Sequence, residues 1–138
     1  MKKLVEWLFE TPAPTPTSLS VILWWEKRRV TYNAIIGIYG LVSLVLVHVL
    51  AGWSGKLDPG EDAVEPLLVI FVVPILINLF YTAGWVVELS VRFLGPDHNL
   101  ILGPALLKLG IAFSFLMLTL PACFWGITLV LRQLHVIE

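Results

Sequence analysis

The sequence predicts an all-α integral membrane bundle of three transmembrane helices, preceded by a short amphipathic, interfacial N-terminal segment. Three observations carry that prediction. Of 138 residues, 58% are hydrophobic and only 14% are charged, against roughly 25% charged in a soluble domain. The apolar residues gather into three runs, about Thr31–Trp53, Pro66–Leu89 and Ala105–Leu131. Each run supplies the ~20 apolar residues needed to cross about 30 Å of hydrocarbon as helix. The charges fall mainly in the gaps between the runs, and six Trp suit the two membrane interfaces.

Residues 1–32 read as a cytoplasmic segment and residues 33–138 as the three-span domain. Met1–Phe9 is a short amphipathic piece that offers Leu4, Val5, Trp7 and Leu8 to an interface. It does not fit a cleavable signal, because Glu6 breaks the apolar stretch and Pro12 stops it, where about 7–15 apolar residues are required. Pro12, Pro14 and Pro16 alternate, which disfavours helix and favours a semi-rigid extended linker. Ser18 or Ser20 can cap the basic helix that follows. That helix carries Trp24, Trp25, Lys27, Arg28 and Arg29, expected at the headgroup level. Trp24 and Arg28 are four apart, as are Trp25 and Arg29, so each guanidinium can lie over an indole.

In the first span, Ala34, Gly37, Gly40 and Ser43 recur every three residues and form a strip of low bulk for close helix approach. His48 near its far end reads as an interfacial group. The connection Gly52–Glu65 is a turn-rich acidic loop, and Asp58 and Asp62 lack the alternation of a calcium-binding loop. Pro66 suits the first turn of the second helix, while Pro74 inside it predicts a kink. Gly95–Asn99 makes a polar turn, and Gly103-Pro104 restarts helix. Lys108 can snorkel back to the interface. Pro121 predicts a second kink. Gly110 and Ser114 form one small-residue patch on the third span; Thr119, Cys123 and Gly126 form another.

Lys and Arg set the orientation. Lys2, Lys3, Lys27, Arg28, Arg29, Arg92 and Lys108 gather on one side, with Lys56 and Arg132 on the other. The expected placement is the cell (inner) membrane, N-terminus cytoplasmic and C-terminus outside.

The most informative residues are polar ones at membrane depth. Asn78, Tyr81, Trp85 and Glu88 share one helical face. Unpaired polar groups in hydrocarbon cost several kcal/mol each, so this stripe must face another helix or water. Antiparallel packing brings it to Arg29 and Asn33. The expected cluster is Arg29, Asn33, Asn78, Tyr81, Glu88 and Arg92, with Glu88 paired to Arg29 or Arg92, and Asn33 and Tyr81 hydrogen-bonded just above.

Several function classes fall away. A net charge of −1 gives no nucleic-acid footprint. One Cys and three scattered His cannot build a zinc site, and no cofactor motif, phosphate loop or nucleophile elbow is present. Asp97-His98 is the only adjacent acid–base pair, and it lies in a turn. A transporter is disfavoured without an inverted repeat. The expected function is a non-enzymatic interaction or scaffold subunit that sits in the lipid bilayer and binds itself or a membrane-protein partner. The alternative is an oligomeric pore, such as a membrane-permeabilising effector, with the Asn78–Glu88 face lining the lumen.

Overall fold

The computed structural model describes residues 2–12, 17–53, 64–95 and 101–134, with side chains outside 64–69. Among these, every regular element is helical: α1 (Lys2–Leu8), α2 (Ser18–Trp53), α3 (Val64–Leu94) and α4 (Gly103–Gln133). α2, α3 and α4 are each long and apolar enough to cross a membrane. Pro14 and Pro16, the acidic-loop residues Lys56, Asp58, Glu61 and Asp62, the Glu65 side chain, and Asp97-His98 lie outside what is described.

No break separates the basic segment from the first apolar run. Neither proline nor glycine occurs between Ser18 and Ile36, so one helix of 36 residues continues through residue 32. At 1.5 Å per residue it is about 54 Å long, well beyond the thickness of hydrocarbon. Its cap is Thr17 rather than Ser18 or Ser20. The Ser20 amide donates to Thr17 Oγ1 at 3.2 Å, and Ser20 Oγ donates to the Thr17 carbonyl at 2.8 Å. Pro74 and Pro121 both sit inside continuous helices. Pro104 takes the opening turn of α4, where its missing N–H matters least.

Side-chain bonds fix the register. Trp25 meets Glu88, Arg29 meets Thr82 and Asn33 meets Asn78. As the α2 number rises the α3 number falls, so the two helices are antiparallel. Tyr32 meets Ser114 and Tyr39 meets Thr119, so α2 and α4 run parallel. The core lies toward the N-terminal end of α2, where Leu8, Val21, Trp24, Trp25, Tyr32, Ile36, Tyr81 and Leu107 form one buried cluster. Toward the other end, large apolar side chains such as Val45, Phe71 and Ile127 are exposed.

Candidate functional site

The polar stripe of α3 folds inward onto α2 and α4. Glu88 is only 1% exposed. Its carboxylate accepts from Trp25 Nε1 at 2.7 Å and from Arg92 Nη2 at 3.1 Å. Arg92 is one helical turn along on the same helix, and both partners of the ion pair are buried. The carboxylate also lies close to Gly103, the first residue of α4. A side chain at Gly103 would meet Glu88 Oε2 and the Trp24 ring, each at 3.1 Å. Gly84, one turn before Glu88, makes room for Trp25: a Cβ there would stand 2.8 Å from the indole. Such a distance demands a shift of backbone or ring, so glycine is what lets α2 and α3 close at this level.

Of the two expected partners for Glu88, Arg92 takes it. Arg29 turns instead to Glu26 at 2.7 Å and to Thr82 Oγ1 at 3.1 Å. Its guanidinium lies 5.3 Å from the Tyr81 ring centre, not over Trp25. The Trp25 indole N–H is committed to Glu88, and its ring meets Tyr81 in an edge contact. The Tyr81 hydroxyl donates to the Trp25 carbonyl. Asn33 Nδ2 donates to Asn78 Oδ1 at 2.9 Å. Asn78 Nδ2 reaches back to the Pro74 carbonyl at 3.0 Å. Trp85, the fourth member of the stripe, packs against the core cluster, and its indole nitrogen is buried without a hydrogen bond.

Arg28 has a different role from the headgroup anchor that its sequence context suggested. It is buried, together with Trp24 and Trp25. Nε donates to the Leu8 carbonyl at 2.9 Å, and Nη2 donates to the Trp7 carbonyl at 2.7 Å. Those carbonyls lie at the C-terminal end of α1, where helices lack internal donors and a cation is favoured. The same guanidinium lies 4.0 Å from the Trp24 ring centre and 4.8 Å from that of Trp7. Trp24 Nε1 donates to the Glu10 carbonyl at 2.9 Å. These contacts lay α1 on the bundle with Leu8 inward and Leu4 and Val5 outward. The three large side chains are therefore covered by α1, α3 and α4 rather than by headgroups. Lys27 and Lys108 are exposed, and Lys108 Nζ comes within 5.2 Å of the Phe9 ring centre.

The small-residue positions divide. Ser114 is buried and bonds the Tyr32 hydroxyl at 2.8 Å. Gly40 lies at ordinary contact distance from Leu118. Gly37 and Gly110 have nothing within 4 Å of where a Cβ would stand, so they are not points of close helix approach. That role belongs to Gly84 and Gly103. Among the described residues no group of three or more His, Cys, Asp or Glu could hold a metal ion.

Comparison with protein-family models, with curated proteins and with solved structures finds no match.

Proposed function

We propose that this chain is a multi-pass membrane protein whose three long helices each cross the bilayer. In this reading it acts as an interaction or scaffold subunit, associating with itself or with a membrane-protein partner, and not as a catalyst. In the same reading the N-terminus is cytoplasmic and the C-terminus outside, in the cell (inner) membrane, which the excess of Lys and Arg on one side supports.

The observation that carries this reading is the inward-facing polar stripe. Tyr81 and Glu88 are buried within one chain, and Asn78 is bonded to Asn33. Intramembrane ionisable groups ordinarily point to function. Here Glu88 and Tyr81 hold Arg92 and Trp25 in one fastening at the end of the bundle. With these groups engaged inside, interaction falls to the outer faces. The same observation weighs against the pore alternative, because a lumen built on the Asn78–Glu88 face would need that face turned outward.

Two measurements test the proposal. Reconstituted in liposomes, the protein should sustain no ion flux. Its detergent complex, weighed by native mass spectrometry and crosslinked through the exposed Cys123, should contain more than one chain or a second protein. A strict monomer with no co-purifying protein would overturn the interaction role.

A further inference from the structure

We propose that the seam between α2 and α3 is a binding site for one glycerophospholipid, with phosphate at Arg29, an ester carbonyl at the Asn33–Asn78 amides and an acyl chain in the apolar groove below them. The proposal rests on the membrane reading above, not on the association reading.

The seam presents three kinds of chemistry in the order in which such a lipid presents them. Arg29 bridges α2 to Thr82 of α3. Both of its hydrogen bonds, to Glu26 and Thr82, use Nη2, and its side chain is 29% exposed. A guanidinium has five donors in a planar fork, so Nη1 remains to donate to a phosphate oxygen. Asn33 is four residues further along α2, about 6 Å by helical rise. Asn33 Nδ2 and Asn78 Nδ2 each make one bond and each carry a second hydrogen. They lie at the depth of a glycerol ester below a phosphate held at Arg29.

The groove begins at Ile36 and Gly37, about 12 Å along α2 from Arg29. It is open along one side, has a volume of about 270 Å³ and is lined by Gly37, Gly40, Leu41, Val73, Pro74 and Ile77 among others, all apolar. Its floor is open at Gly37, where an added Cβ would touch nothing. An enclosed apolar cavity of about 150 Å³ holds a benzene-sized guest, so this groove takes an acyl stretch of roughly ten carbons. A second helix would seat only side chains in the groove, and apolar ones would bring no acceptor oxygen to Arg29 and the two amides just above it.

The test uses full-length protein in vesicles containing a phospholipid with a photoactivatable acyl chain. After illumination, modified peptides are mapped by mass. Modification should concentrate on residues 36–44 and 70–77 of the wild-type protein. Gly37→Leu should reduce it about ten-fold there, since a leucine fills the slot and displaces buried methylenes. Arg29→Gln should reduce it without moving its position. Modification spread evenly over all outward faces would overturn the proposal. So would a wild-type groove that yields chain-to-chain crosslinks in place of lipid. A strictly monomeric protein that still labels at 36–44 and 70–77 would refute the association reading and leave this one standing. A protein that does not partition into vesicles would refute both.

Discussion

Glu88→Gln is the substitution on which the account of the polar stripe can be weighed. The wild-type carboxylate is almost wholly buried and accepts two bonds, from Trp25 and from Arg92. Glutamine has nearly the same shape but only one acceptor oxygen. If that oxygen keeps the Trp25 indole, the amide NH₂ faces Arg92, donor against donor, and a guanidinium with only 8% of its side chain exposed loses the Glu88 carboxylate. Breaking a buried ion pair from one side costs about 3–5 kcal/mol. The lower end applies, because one hydrogen bond survives and Arg92 lies in the last turn of α3, where free carbonyls favour a cation. The expected loss is therefore about 3 kcal/mol, roughly a hundred-fold in the folding equilibrium. The assay is reversible unfolding in mixed micelles with increasing sodium dodecyl sulfate, followed by tryptophan fluorescence. Glu6→Gln, on the exposed face of α1, serves as control and should not move the midpoint. A double-mutant cycle with Arg92→Gln should return a coupling of about 1–3 kcal/mol. If Glu88→Gln unfolds within 0.5 kcal/mol of wild type, the carboxylate is not the fastening described.

Three further outcomes follow from the same geometry. Arg28→Lys replaces a planar fork that reaches three carbonyls with a single ammonium; hydrogen exchange across residues 2–9 should accelerate at least about ten-fold, while the core of α4 stays protected. Gly84→Val should cost about 1–3 kcal/mol by pushing Trp25 off Glu88, whereas Gly110→Ala, with open space around it, should cost far less. Asn33→Leu alone should cost about 1–2 kcal/mol by leaving the Asn78 oxygen bare, and Asn33→Leu combined with Asn78→Leu should recover most of that loss, since no polar group is then stranded; equal or additive losses would contradict the pairing.

The helical architecture was legible because run length alone sets it: an apolar stretch of some 23 residues leaves little choice but helix. The register was partly legible. Antiparallel succession places Asn33 near Asn78, and the i,i+4 spacing places Arg92 near Glu88. The partner of Trp25 was harder to read, although the same register brings residue 25 to residue 88. An indole beside a basic cluster resembles an interfacial anchor, and nothing local distinguishes it from one whose nitrogen is claimed by a distant acid. Arg28 was obscure for a related reason. Its acceptors are backbone carbonyls of Trp7 and Leu8, and carbonyls have no sequence signature. Glycine spacing misled most. Gly37 and Gly40 recur with Ala34 and Ser43 every three residues, and Gly110 stands four before Ser114, yet the closest approaches are at Gly84 and Gly103, each set by a bulky neighbour. A small residue facing a large polar or aromatic one across the register would have been the better guide.

The central claim is that the stripe at Asn78–Glu88 closes on the chain's own helices. It is tested most directly by the Trp25 indole N–H in a lipid nanodisc, observed by NMR with the six Trp resonances assigned by substitution. The account predicts a hydrogen-bonded proton that exchanges slowly, is not broadened by a water-soluble paramagnetic agent, and shifts when Glu88 becomes Gln. A Trp25 proton that exchanges freely with water, and is indifferent to residue 88, would contradict it.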